Sequence, residues 1–278
     1  MSNIFAKKKP AAKAEVEDDY VGGGGGVLDT DIYPAEIKYA YIGKAANSEA
    51  RNLTLCLKIN GMDITRQIWM TNRDGDVTYQ DKKTKEVKNL PGFNQVNGLC
   101  MLLVSKEVGN MDVEEKTLSL YDYESKKEVP QAVDCFVELH GQKLQVAIQR
   151  QTVDKTEKNE STGEYEPTGE TRDTNEFIKF FPEDRLVTIS EVAHFIKSLG
   201  GDFEDVLNDG DLSKAISKME EDGDYATKWL DKNRGETWDR STGKKEGKAF
   251  AGGKSSGAKA SGGGSTDKAK AKSSLFDD

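Results

Sequence analysis

The sequence predicts a mainly β fold: an antiparallel, barrel-like domain with one internal helix, then a small C-terminal helical appendix, with disordered segments at both ends. Three observations predict it. Apolar and polar residues alternate in several short segments, most cleanly at Leu53, Leu55, Leu57 and Ile59. Tight-turn signals separate these segments, with Asn60-Gly61 the strongest. Helical periodicity is confined to one internal apolar stretch and to the region after residue 188.

Taken in order, residues 35–42 and 53–59 read as strands, and 64–69 returns from the Asn60-Gly61 turn as a third. Residues 77–79 and 86–88 flank a polar turn at 81–85 and form a second hairpin. Residues 93–104 are long, apolar and preceded by Pro91-Gly92, which suits a helix. Residues 133–139 and 144–151, joined by His140-Gly141, read as a third hairpin. Residues 153–174 are too polar for a core and read as a long loop, before a last strand at 176–181. Thr188 and Glu191 form a capping box ahead of Val192, Phe195, Ile196 and Leu199, and Gly200-Gly201 ends that helix. Residues 211–232 carry a second helical pattern through Leu212, Ile216, Met219, Trp229 and Leu230. A five-stranded barrel with a helix between its third and fourth strands is the OB-fold, so an OB-fold-like barrel is the expected class and a β-sandwich the alternative.

Composition divides the chain. Residues 1–26 are a polar lead ending in five glycines, 27–186 the expected nucleic-acid-binding β-domain, and 187–235 the helical appendix. Residues 236–274 are a Lys/Gly/Ser/Ala tether, expected to be disordered, and 275–278 an acidic tip. Only 35% of the 278 residues are hydrophobic and 32% are charged, which is poor for a chain folded from end to end. The net charge of -9 is uneven: residues 243–278 carry +4 and the remainder -13, so overall acidity does not exclude nucleic acid. No apolar run exceeds the six residues 99–104, so no membrane helix and no secretory signal are expected. Cys56, Cys100 and Cys135 are scattered among apolar residues, which suits free buried thiols in a reducing compartment.

Catalytic motifs fail on chemistry. There is no CxxC and no paired histidine for zinc. The phosphate-loop ending Gly253-Lys254-Ser255 lacks its first glycine, where Lys248 stands. A calcium-like run from Asp209 has Lys214 where the turn needs glycine, and no GxSxG exists. Asp29, Asp31, Asp112 and Asp134 could only serve a metal-dependent nuclease if the fold gathered them. No catalytic residue, metal or cofactor is therefore assigned.

A binding surface remains. Single-stranded nucleic acid needs cations for phosphates and flat rings for bases. The strands interleave both: Lys38, Tyr39, Tyr41, Lys58, Arg66, Trp69, Arg73, Tyr79, Lys82, Lys83, Lys85, Lys88, Lys143 and Arg150. Strict alternation puts Tyr39 and Tyr41 on one side with Ile37, and Lys38 on the other; it puts Arg66 opposite Trp69. The lysines of the 81–85 turn suit phosphate contact because a hairpin tip is exposed. At the C-terminus, Leu275, Phe276, Asp277 and Asp278 close the basic tether with an apolar pair and acidic groups. Such a tip can compete for the protein's own basic groove or dock in a partner's pocket.

With these residues in view, the chain resembles the single-stranded-DNA-binding proteins of tailed bacteriophages. The resemblance lies in Val27-Leu28-Asp29-Thr30 through Tyr33, Ala35, Ile37-Lys38 and Ala40-Tyr41, in Leu53, Leu55 and Leu57, in the basic segment 80–86, and in the last four residues. It covers about residues 27–181 plus the tip. It departs from the family in having two terminal aspartates, a Lys-rich tether in place of an acidic run, and the 188–233 appendix. The resemblance implies a non-enzymatic protein that coats single-stranded DNA in phage replication, recombination and repair, in the cytoplasm of the infected bacterial host. It implies recruitment of a replicative polymerase, a helicase or primase, or recombination proteins through the tail, and allows self-association; no membrane partner is implied. A strand-annealing or recombination mediator and a protein–protein adaptor without DNA affinity are the alternative functions.

Overall fold

The structure, a computed structural model, describes residues 26–122, 125–159 and 165–242. Ten strands and five helices follow in the order β1 (Asp31–Lys44), β2 (Arg51–Ile59), β3 (Met62–Trp69), β4 (Thr78–Gln80), β5 (Val87–Asn89), α1 (Pro91–Val104), β6 (Val113–Asp122), β7 (Lys127–Phe136), β8 (Lys143–Lys158), β9 (Tyr165–Pro182), α2 (Ile189–Ser198), α3 (Phe203–Asn208), α4 (Leu212–Ser217), α5 (Asp224–Asn233) and β10 (Thr237–Asp239). The fold is mainly β and antiparallel. Strands β9, β8, β1, β2 and β3 pair side by side in that order; β7 joins β1 and carries β6, and β4–β5 is a separate hairpin.

Local chemistry explains the first three strands. Leu53, Leu55, Leu57 and Ile59 of β2 are all fully buried, as their alternation requires. The β2–β3 connection needs two left-handed residues, and Asn60 (φ 51°) and Gly61 (φ 80°) supply them. The core between the sheet and α1 joins these leucines to Ile37, Val96, Leu99, Leu144, Ile148, Phe177 and Phe180.

The expected closed barrel is corrected to an open sheet. Two antiparallel steps separate β1 from β3, and two separate β1 from β9, so β3 and β9 run parallel. Their edges do not pair by backbone bonds. Arg66 of β3 crosses the gap instead: Nε donates to the Asn175 carbonyl and an Nη donates to Thr174 Oγ1 at 2.7 Å. Helix α1 lies along the same seam, where Gln95 Nε2 donates to the Phe177 carbonyl at 2.6 Å.

Three further expectations change. Residues 133–139 do not hairpin with 144–151: β7 pairs with β6, while β8 pairs with β1 and β9. The polar stretch 153–174 is no loop, since it forms the outer half of the β8–β9 hairpin, with Asp154 opposite Thr171 and Lys158 opposite Tyr165. That arm projects past the core, so both of its faces are polar. The helix expected over 211–232 is two helices, because the Leu186 N–H binds the Asp222 carboxylate (2.7 Å) and the Gly223 N–H the Leu186 carbonyl (2.9 Å), pinning the intervening turn. The tether expected from residue 236 instead begins with an ordered strand, β10, which pairs with β8; the lead up to residue 25, the tether from residue 243 and the tip lie outside the described residues.

Helices α2, α3 and α4 bury Val192, Ile196, Leu207, Leu212 and Ile216 against Met101 and Leu102 of α1. Helix α5 packs Ala226 and Trp229 on Ala147 and Phe181 of β8 and β9. The expected capping box is present, and its Glu191 does more than cap α2. The Glu191 carboxylate accepts from the Thr188 N–H (2.8 Å), the Thr188 hydroxyl (3.0 Å) and the Tyr225 N–H at the start of α5 (2.9 Å). One anion thus serves two helix N-termini, where the dipoles favour negative charge. Glu191→Ala is expected to lower unfolding free energy by about 2–3 kcal/mol, since hydrogen bonds to a charged group are the stronger kind. Urea titration followed by circular dichroism checks this, and an unchanged midpoint would contradict it.

Candidate nucleic-acid interface

A bulge in β1 decides which side chains reach the surface. The β1–β2 register steps from Ile37 opposite Leu57 to Tyr39 opposite Cys56, leaving Lys38 as the extra residue. The Ala40 N–H, displaced from the ladder, donates to His140 Nε2 at 3.1 Å. Facing changes across the bulge, so Ile37 and Ala40 both point into the core. Lys38, Tyr39 and Tyr41 then share the outer side. This corrects the strict alternation, which placed Lys38 opposite the tyrosines and Ile37 beside them.

The outer side of β1, β2 and β3 exposes Thr65, Gln67 and Trp69 and half-exposes Tyr39 and Tyr41, while Asn52, Thr54 and Cys56 between them are buried. Its rows are Tyr39, Cys56 and Thr65, then Tyr41, Thr54 and Gln67; Asn52 beside Trp69 follows, and Lys58 beside Asp63 closes the other end. The Tyr39 and Tyr41 rings lie 6.0 Å apart at 35°. Tyr39 is half-buried, and burial pushes its hydroxyl up to about 12 against the opposing hydrogen bond with Thr65. It stays neutral at any working pH. Trp69 is 45% exposed.

Cations flank this surface at both ends. Lys58 is exposed at the Asn60-Gly61 end and makes no ion pair among the described residues. Its cleft, about 670 Å³, also includes Lys38 and Asp63, which pair with each other. Arg73 lies at the opposite end in a second cleft of about 620 Å³, with Lys44 and Glu49 paired beside it. The β4–β5 hairpin rises from this end, because its outgoing chain leaves β3 at Trp69 and its returning chain meets α1 at Gly92, against the Trp69 carbonyl. Its turn presents Lys82, Lys83 and Lys85, all exposed and without ion pairs among the described residues, near Tyr79, which is 42% exposed. Asp81 organises the turn: the Thr84 N–H, Lys88 and the Lys83 N–H together hold its carboxyl at about 2.

Four predicted residues do not join this set. Arg66 is committed to the β3–β9 seam. Arg150 binds Asp173 through Nε (3.0 Å) and Nη (2.7 Å) and also binds Asp29 (3.0 Å). Lys88 is held by Asp81 at 3.0 Å and Glu86 at 3.4 Å. Lys143 of β8 is paired with Glu183 at 3.7 Å. Leu275, Phe276, Asp277 and Asp278 lie outside the described residues.

Cys56, Cys100 and Cys135 are buried free thiols, and burial raises the pKa of each, Cys100 to about 12, which makes them poor nucleophiles. Among the described residues no three His, Cys, Asp or Glu side chains cluster in a way that could hold a metal ion, and no helix is long and apolar enough to cross a membrane. Comparison with protein-family models and with curated proteins finds no match. Sequence reasoning missed Arg172, Trp238 and Arg240, which stand exposed on β9 and beside β10. Only the lone tryptophan in a polar stretch could have flagged them.

Proposed function

We propose that the protein binds single-stranded DNA without sequence preference and acts as a non-catalytic coating protein of the phage replication, recombination and repair type. One observation carries this reading: Tyr39, Tyr41 and Trp69 stand on one side of the sheet, the tyrosines half-exposed and Trp69 exposed, between Lys58 at one end and Arg73 with the Lys82, Lys83 and Lys85 turn at the other. Rings that stack on any base, flanked by cations that meet any phosphate, discriminate single strands from duplex without reading sequence. Three features favour an OB-fold-like description of the domain. They are the strand order β9-β8-β1-β2-β3, the parallel β3–β9 seam bridged by Arg66, and the placement of α1 after β3. Under this reading the C-terminal tip recruits replication or recombination partners.

The test is fluorescence anisotropy with labelled single-stranded and duplex oligonucleotides, without magnesium. The full chain and a chain ending at Ser274 are titrated in parallel. Preferential single-strand binding by both supports the proposal; no binding at low salt overturns it and leaves a protein adaptor. Replacing Lys82, Lys83 and Lys85 together by alanine is expected to make the plot of log affinity against log salt shallower by about 2, at ~0.7 per phosphate released. A slope equal to that of the unaltered protein would remove the hairpin from the interface.

A further inference from the structure

The outer surface does not stop at β3. Paired residues of a ladder project to the same side, so the outer side of β8 and β9 can be followed through Gln149 with Glu176, Gln151 with Thr174, and Val153 with Arg172. Strand β10 extends it, running parallel to β8 with Trp238 opposite Gln151. Helix α5 covers this side around Ala147 and Phe181, and Gln149 and Gln151 are buried as well. Beyond that cover Trp238 is 41% exposed. Arg240 follows two residues later on the same side, its N–H bound to the Thr152 carbonyl at 2.8 Å. Arg172 and Arg240 are both exposed, and neither side chain has an ion pair among the described residues.

This patch lies across the seam from β3, whose Arg66 projects on the side opposite Trp69. Arg66 reaches from β3 to Thr174, the outward neighbour of Arg172. Electrostatics report the same proximity. Burial pushes the Glu176 carboxyl up while Arg66 and Arg240 pull it back; burial lowers the Arg66 guanidinium, which Glu176 opposes and Arg172 reinforces. The chain after Arg240 is held by Asp154, which accepts from the Thr242 N–H at 2.9 Å and from the Thr242 hydroxyl. The residues that follow in sequence include Lys244, Lys245 and Lys248.

We propose that Trp238, Arg172 and Arg240 form a second single-stranded nucleic-acid subsite, reached from β3 across the β3–β9 seam, with Trp238 stacking a base and the two arginines holding its neighbouring phosphates. The proposal rests on the reading of the first face as a single-strand binder. A strand long enough to cross the seam uses both subsites, whereas a short one is satisfied by the first. The patch is the only place among the described residues outside the first face where an exposed indole and two unpaired guanidiniums share one surface.

The experiment compares labelled oligothymidylates of about six and about sixteen nucleotides, within the range of site sizes such folds cover. The full chain is compared with Arg172→Ala/Arg240→Ala, Trp238→Ala and Trp238→Phe, each checked by thermal melting. For the long strand the double arginine variant is expected to bind about tenfold more weakly, with a salt slope shallower by about 1.4. Trp238→Ala is expected to lose about tenfold and Trp238→Phe to recover most of it, because the phenyl ring still stacks. The short strand is expected to bind all four proteins alike. If the unaltered chain binds the long strand and all variants match it, the second subsite is overturned while the first face stands. If the unaltered chain binds neither strand, the reading of the first face falls and this one with it.

Discussion

Tyr41→Ala combined with Trp69→Ala is expected to weaken binding to single-stranded DNA by about a hundredfold and leave the fold intact. Each ring–base stack contributes about 1–3 kcal/mol by alanine substitution, so two at ~1.5 kcal/mol each lose about 3 kcal/mol. About 1.4 kcal/mol is tenfold in affinity. The pair is chosen because both side chains stand outside the core, Trp69 being 45% exposed. Tyr39 is a poorer probe: its hydroxyl lies 3.4 Å from Thr65 Oγ1, so its removal also breaks that contact. Anisotropy gives the affinity, and thermal melting shows whether the double variant remains folded. Quenching of tryptophan fluorescence by oligonucleotide should fall with the loss of Trp69. A folded double variant that binds as tightly as the unaltered chain would show that the strand runs elsewhere.

Two glycines of α1 should respond to the same substitution in opposite directions. A Cβ on Gly92 would lie 2.0 Å from the Trp69 carbonyl oxygen and 3.0 Å from its carbon. Those are backbone atoms and cannot rotate away, so α1 must move off β3. Gly92→Ala is expected to cost about 3 kcal/mol, the upper part of the overpacking range. A Cβ on Gly98, by contrast, would meet only Ile189 Cγ2, at an ordinary 3.6 Å. There the intrinsic helix preference for alanine decides, and Gly98→Ala is expected to stabilise by about 0.5–1 kcal/mol. Urea unfolding measures both. Gly92→Ala should also shift Trp69 and the hairpin beside it, so its DNA affinity should fall while that of Gly98→Ala does not. Equal midpoints for the two variants would refute the packing argument.

Much of the secondary structure was legible because it rests on local chemistry. The β2 leucines, the Asn60-Gly61 turn, the β4–β5 hairpin, α1 and the Thr188–Glu191 box all stand where alternation, left-handed residues and capping oxygens place them. The failures share a cause. Strands β6 and the outer parts of β8 and β9 belong to projecting hairpins with little core to face, so their sequences carry little apolar alternation. The long helix expected over 211–232 is broken by a turn tied to Leu186, a contact that crosses from another part of the chain.

The candidate site was legible as a set of residue types and only partly as a surface. The sequence by itself determined that rings and cations alternate along strands, that the thiols would be buried, and that residues 243–278 carry charge opposite in sign to the rest of the chain. Those properties follow from composition and from nearest neighbours. Only the tertiary structure decided which of these residues share a side. The β1 bulge turned Lys38 outward with Tyr39 and Tyr41, and the open β3–β9 seam claimed Arg66. Asp29 and Asp173 claimed Arg150, and β10 carried Trp238 back to the edge of β8. The reason is physical: facing along a strand is a parity that one extra residue reverses. Whether a cation is free depends on carboxylates such as Asp29 and Asp173, which lie 121 and 23 residues from Arg150 and reach it only when the chain folds.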